Sequence, residues 1–124
     1  GLGFLGEYER ARDVCVELIR RRPDHAEAHF GAAFYLRRLG RPLETALAYV
    51  ARAHALAPEA ELYRISLAIL LDHAGRREEA YELLRGVDLD GVSCRCCLRR
   101  MTTIFLAVGD ADRVQSCRRQ AGAG

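Results

Sequence analysis

Apolar residues recur along this chain every three to four positions. Leu62, Ile65 and Ile69 fall on one side of a helical wheel, as do Ala80, Leu83, Leu84 and Val87, the rhythm of a helix that buries one face. Each apolar stretch leads to a glycine, and a second apolar stretch follows it. Gly6, Gly40, Gly75 and Gly109 recur at spacings of 34, 35 and 34 residues. The pattern predicts helix-turn-helix hairpins, with Gly40, Gly75 and Gly109 just past a helix end, where a left-handed C-cap costs glycine little.

Several independent positions carry the same period. Ala11, Ala46, Ala80 and Val114 repeat at 35, 34 and 34, and Pro23 and Pro58 at 35. Leu36, Leu71 and Phe105 are equivalent under this offset, and so are Ala33, Ala68 and Thr102. The one longer step comes from the turn "GRPLETA" at Gly40, a residue longer than "GRREEA" at Gly75. The extra residue falls at Pro42, where proline suits the first turn of a new helix.

With these residues in register, "AEAHFGAAFYLRRLGRPLETALAYVARAHALAPE" and "ELYRISLAILLDHAGRREEAYELLRGVDLD" resemble the tetratricopeptide repeat (TPR) family. They share its large residue and small pair in the first helix, its Gly at the turn, its Ala early in the second helix and its Pro near the end. "GEYERARDVCVELIRRRPDH" is similar to half of such a repeat. "CRCCLRRMTTIFLAVGDADRVQSCRRQ" keeps the period but lacks the alanine and the proline. The resemblance implies an all-α fold of antiparallel helix-turn-helix hairpins stacked in a right-handed superhelix, an α-solenoid of about three and a half repeats. The expected organisation is one domain over 1–124, with a half repeat at 1–24, repeats at 25–59 and 60–91, a degenerate repeat at 92–120 and a flexible tail at 121–124. Leu2 aligns with Leu36, so the chain reads as a piece of a longer array whose opening helix lies elsewhere. The family's early aromatic is replaced by His29, Arg64 and Leu98.

Hairpins of this kind bury their second face only by stacking, and Ala32, Ala33, Ala46, Ala53, Ala68 and Ala80 are the small residues expected at that seam. The resemblance further implies that each repeat's first helix lines a concave groove. The groove-facing residues would be Glu27, Phe30, Phe34, Arg37 and Arg38, then Leu62, Ile65, Ile69, Asp72 and His73, then Cys96, Arg99 and Thr103. Exposed Phe30, Phe34, Ile65 and Ile69 would form an apolar patch suited to an extended peptide or an amphipathic helix, with Arg37, Arg38 and Arg99 selecting acidic flanks. The alternative is that these four side chains are simply buried between helices, or beneath a helix that lies outside this sequence. The Lys and Asn clamp with which some family members grip a chaperone's terminal carboxylates is not matched, because Phe and Ile stand there and the chain has no Asn.

Composition narrows the classes. Half of the 124 residues are hydrophobic and 29% are charged, a globular balance that fits neither disorder nor a disulfide scaffold. All 19 basic residues are arginine, and the net charge is only +2. Residues 91–124 carry six Arg against two acids, which could steer an acidic partner. No interleaved aromatics or base-reading motif accompany them, so no nucleic-acid partner is expected. Five cysteines, four of them crowded late in the chain, lack the spacing of a secreted framework, and a reducing, cytoplasmic compartment is expected. The longest apolar runs, such as "ISLAILL", are too short to span a bilayer.

Candidate chemistry is sparse. Ser66, Ser93, Thr102 and Thr103 have no histidine close in sequence, so no catalytic set is expected. His25 and His29 have the i, i+4 spacing of paired metal ligands. No third ligand follows, and His25 is expected to be solvated and His29 packed. "RRRPD" at Arg20–Asp24 suits the negative end of a helix dipole as well as any ligand.

The densest stretch is "DGVSCRCCLRRM" from Asp90 to Met101. With Ser93 or Asp90 as N-cap, Cys94, Cys96 and Cys97 fall in a first helical turn. Cys94 and Cys97 then share a face and Cys96 points nearly opposite, a poor arrangement for one metal. A helix N-terminus beside Arg95, Arg99 and Arg100 favours thiolates, which makes Cys94 and Cys96 candidate reactive thiols, unless these cysteines are simply small packing residues.

The leading expectation is thus a non-catalytic module, without metal or other cofactor, that binds a peptide or helical segment of a partner as adapter, scaffold or chaperone-like subunit. The alternative is a thiol-responsive or metal-binding regulatory domain built on Cys94, Cys96, Cys97 and Cys117. A third possibility is self-association through open helical ends.

Overall fold

The computed structural model describes residues 2–123. Seven α-helices and one short 3-10 turn account for its secondary structure: α1 Leu2–Arg21, α2 Ala26–Arg38, α3 Leu43–Leu56, α4 Glu61–His73, α5 Arg77–Leu84, the 3-10 turn Leu89–Gly91, α6 Arg95–Val108 and α7 Ala111–Ala123. No strand occurs among the described residues, so the all-α class holds. Within the same residues no helix is long and apolar enough to cross a membrane.

The period of the sequence is the period of the helices. First helices begin at residues 26, 61 and 95, steps of 35 and 34, and second helices at 43, 77 and 111, steps of 34. The glycine turns are alike in detail. Gly40, Gly75 and Gly109 have φ of 73°, 81° and 80°, and the same pair of hydrogen bonds closes each turn. Arg41, Arg76 and Asp110 donate their backbone N–H to the carbonyls of Leu36, Leu71 and Phe105 at 3.0, 2.8 and 2.9 Å. The glycines donate to Arg37, Asp72 and Leu106 at 3.1, 3.0 and 3.2 Å. This is the Schellman closure, in which a left-handed residue lets two orphan carbonyls of the last turn find donors.

Gly6 departs from the expected pattern. Helix α1 runs through it without a turn, because an interior glycine costs a helix only about 1 kcal/mol and no proline or cap follows to stop it. Val87 also lies outside its expected helix, since α5 ends at Leu84, yet Val87 stays buried in the turn beyond. At the other end α7 continues to Ala123, so most of the expected tail is helical, and Gly124 lies outside the described residues.

The chain, read from its sequence as one domain, clusters into two compact units, Gly1–Tyr63 and Arg64–Gly124. In the first, α2 packs against both α1 and α3. Gly31 permits the close approach of α1, since a Cβ there would stand 2.9 Å from the Cys15 sulfur. His29 is buried, as expected, and donates from Nε2 to the Pro23 carbonyl at 2.9 Å. His25 does more than face solvent: it is the N-cap of α2, its Nδ1 accepting the Ala28 N–H at 3.0 Å.

In the second unit α6 packs on α5 and α7, and the 3-10 turn rests on α7. Its core gathers Leu84, Leu98, Met101, Ile104, Phe105 and Cys117. The degenerate last repeat therefore forms a closed hairpin despite its missing alanine and proline. Ala32, Ala33, Ala46, Ala53, Ala68 and Ala80 are all buried, as the small-residue positions require.

Candidate interaction surface

Two clusters of expected groove residues can be described, one in each unit. In the first unit Phe34, on α2, is 44% exposed. Its ring meets Tyr35 edge-on at 5.3 Å, and the Arg38 guanidinium lies 4.9 Å from its centroid. Arg38 is thereby held by a cation–π contact, and Arg37 beside it is exposed. Phe30 is half-buried against Tyr63, ring centroids 5.1 Å apart. Leu62, at the start of α4, is exposed.

In the second unit the last turns of α4 and the middle of α6 enclose a recess of about 160 Å³. It is lined by Ile69, Asp72, His73, Arg100, Thr103 and Ile104. The α-helical spacing explains the set: Ile69, Asp72 and His73 share one face of α4, and Arg100, Thr103 and Ile104 share one face of α6, each set related by three and four residues. Ile69 and Ile104 supply the apolar part. The polar part is already organised by the fold. Arg100 donates from Nη1 to His73 Nε2 at 3.0 Å, and because a guanidinium cannot accept, the His73 proton sits on Nδ1. Asp72 accepts from Arg77 Nε at 2.9 Å and keeps only 18% of its side chain exposed. Thr103 turns its hydroxyl back onto the Arg99 carbonyl at 3.1 Å.

Ile69, His73 and Thr103 line this one recess, whereas Ile65 does not join them. Ile65 is only 4% exposed, so the exposed apolar quartet expected from the sequence is not formed. Four residues before Ile69 on the same helix, it belongs to the packed side, where α4 closes the core. Arg99 is exposed but does not line the recess, and its neighbour Arg100 takes that place. Arg100 and Ile104 were legible as an i, i+4 pair with Thr103 between them.

The start of α6 differs from expectation too. Neither Ser93 nor Asp90 caps it. Asp90 is taken up in the 3-10 turn, its N–H bound by Asp88 Oδ1 at 3.1 Å, and Cys94 itself is the N-cap. The Cys94 sulfur accepts the Cys97 N–H at 3.4 Å. That backbone hydrogen bond, followed by one from the Cys97 side chain, holds the Cys94 thiol below its ordinary value against slight burial. Burial first, then the Cys94 hydrogen bond, push Cys97 up to about 11. Cys96 is exposed, and Cys117 is buried in α7 with its thiol raised by desolvation. Among the described residues no group of three or more His, Cys, Asp or Glu side chains is placed to hold a metal ion.

One polar network was not anticipated. Asp110, the residue after Gly109, accepts the Tyr81 hydroxyl at 2.6 Å, the Arg113 guanidinium at 2.7 Å and the Arg113 N–H at 3.2 Å. Arg113 reaches on to the Arg85 carbonyl at 2.8 Å, tying α5 to α7. The Asp-x-x-Arg spacing at the start of α7 was the available signal. A hollow of about 430 Å³ opens beside Tyr81, Asp110 and Asp112, but its best-placed carboxylate is already saturated by these donors. No protein-family model matches the sequence, and no curated protein matches it either.

Proposed function

We propose that this chain is a non-catalytic, tetratricopeptide-like module whose hairpins stack as a right-handed α-solenoid and hold a peptide or helical segment of a partner protein. In that role it would serve as adapter, scaffold or chaperone-like subunit. The observation that carries the reading is the recess between α4 and α6, the first helices of consecutive hairpins, which is the face such a module uses. Its volume of about 160 Å³ falls below the ~300–1,000 Å³ of small-molecule pockets and suits a single side chain inserted from a bound segment. Ile69 gives that side chain an apolar seat, with the buried Ile104 beneath it, while Arg100 and His73 offer donors at the rim. In the first unit, Phe34 with Arg37 and Arg38 supplies a second anchor of the same kind, an aromatic beside guanidinium groups. An apolar residue flanked by Asp or Glu is the segment that fits both.

Panning a random dodecapeptide display library on the immobilised full chain tests this. Peptides enriched on the wild type are expected to carry an apolar residue beside acids, and to lose at least tenfold in affinity on Ile69→Asp or Phe34→Asp, the order of about 1.4 kcal/mol. Both variants should keep the wild-type far-ultraviolet circular dichroism. Absence of enrichment, or equal binding by the two folded variants, would overturn the proposal.

A further inference from the structure

The start of α6 carries chemistry that the recess does not use. Cys94 and Cys97 form a Cys-x-x-Cys step across the first helical turn. Cys94 is exposed and Cys97 half-buried one helical turn on, its backbone N–H bound to the Cys94 sulfur at 3.4 Å. Residues three apart on a helix have Cα atoms about 5 Å apart, inside the ~4.4–6.8 Å that disulfides bridge. Cys96 lies about 200° around the helix from Cys94 and cannot take Cys97's place. Cys117 is buried in the core. Both sulfurs of the pair are present as free thiols.

The segment that leads into Cys94 is fastened to α7. The Gln120 amide, on α7, donates to the Asp90 carbonyl at 3.1 Å and the Val92 carbonyl at 2.9 Å, and Leu89 and Val92 are buried. A cysteine that merely fills space would not need to be exposed at a helix N-cap with a second cysteine in the same first turn. The two thiols are also unlike in the way exchange chemistry requires: the outer one is favoured as thiolate by helix N–H groups, and the inner one is kept protonated by burial.

We propose that Cys94 and Cys97 are a dithiol–disulfide couple that exchanges with small-molecule disulfides of the glutathione type. The Cys94 thiolate attacks one sulfur of the disulfide RSSR, forming a Cys94–SR mixed disulfide and expelling RS⁻, which takes a proton from water. Cys97 then gives up its proton and attacks the Cys94 sulfur. The Cys94–Cys97 bond forms, the S–SR bond breaks and the second RS⁻ leaves to be protonated. Two electrons pass from the protein to the small disulfide, one RSSR is consumed and two RSH are made. Excess RSH reverses each step.

The test equilibrates the full chain in buffers of reduced and oxidised glutathione, traps free thiols with iodoacetamide and maps the linkage by peptide mass. A Cys94–Cys97 disulfide is expected in the wild type and in Cys96→Ser, and neither in Cys94→Ser nor in Cys97→Ala. Cys97→Ala should instead accumulate glutathione on Cys94, because the resolving thiol is gone. In Cys96→Ser, Cys94 should be alkylated about tenfold faster than Cys97 near neutral pH, since its much larger thiolate fraction is partly offset by the lower nucleophilicity of a more acidic thiol. Circular dichroism of each variant separates lost chemistry from lost fold. If Cys97→Ala does not fold, the wild type and Cys96→Ser decide alone. A Cys94–Cys96 linkage, or no intramolecular disulfide at any glutathione ratio in the folded wild type, would overturn the proposal.

Discussion

Asp110 concentrates more interactions than any candidate in the expected groove. Its carboxylate caps α7, accepts the Tyr81 phenol and pairs with Arg113, and of these the Tyr81 hydrogen bond does most to hold it below its ordinary value of 3.8. A carboxylate with a lowered folded value stabilises the fold fully above the ordinary value, and that contribution is lost as pH falls through the folded one. Tyr81 has the opposite sign. Its phenol is raised above 10.0, first by the Asp110 hydrogen bond, so its contribution is full below that value and lost as pH rises past it. Asp110→Ala is therefore expected to cost about 2 kcal/mol near neutrality, a cap plus charged hydrogen bonds, and to flatten the fall in stability below about pH 4. Urea midpoints across that range check both, and a variant as acid-sensitive as the wild type would show that other carboxylates govern the acid limb.

At the scale of elements, the glycines show what could be read before the structure and what could not. Gly75 and Gly109 were legible as turns because the residues around them repeat. Leu71 and Phe105 stand at the same position of each closure and accept the same hydrogen bond. Gly6 shared the spacing but not the local context, and a single glycine without a following stop signal does not end a helix. The α6 cap was misread for a related reason: Ser93 and Asp90 are good caps by type, yet the Asp88 turn and the buried Val92 decide where the chain enters the helix. Hence Cys94 was legible as a candidate thiol, while its pairing with Cys97 needed the cap position. The same distinction predicts opposite signs for one substitution. Gly109→Ala places a Cβ in open space but at φ 80°, and should cost about 1–2 kcal/mol. Gly6→Ala, inside α1 with nothing near its Cβ, should gain up to about 1 kcal/mol. Chemical denaturation of the two variants measures the difference, and a loss at Gly6 would contradict the continuous helix.

For the whole molecule, the proposed stacking of hairpins predicts stability distributed along the chain rather than pooled in one core. The recess was the part least legible from sequence, because periodicity assigns a residue to a face but not to the buried or open half of it. Ile65 and Ile69 both sit on the apolar side of α4, and only packing sends Ile65 into the core and leaves Ile69 at the recess. A stability distributed in this way can be examined where the packing is tightest. Ala46 in the first unit and Ala80 in the second have no exposed surface, so a leucine at either must displace its neighbours at about 1–3 kcal/mol. On that proposal, Ala46→Leu is expected to lower amide hydrogen-exchange protection in α2 and α3 while that of α6 and α7 stays near the wild-type value. Ala80→Leu should do the reverse, weakening α5 and α6 first. Uniform loss of protection across all helices in either variant would instead mark one cooperative unit, and the stacked-repeat description of its energetics would have to be abandoned.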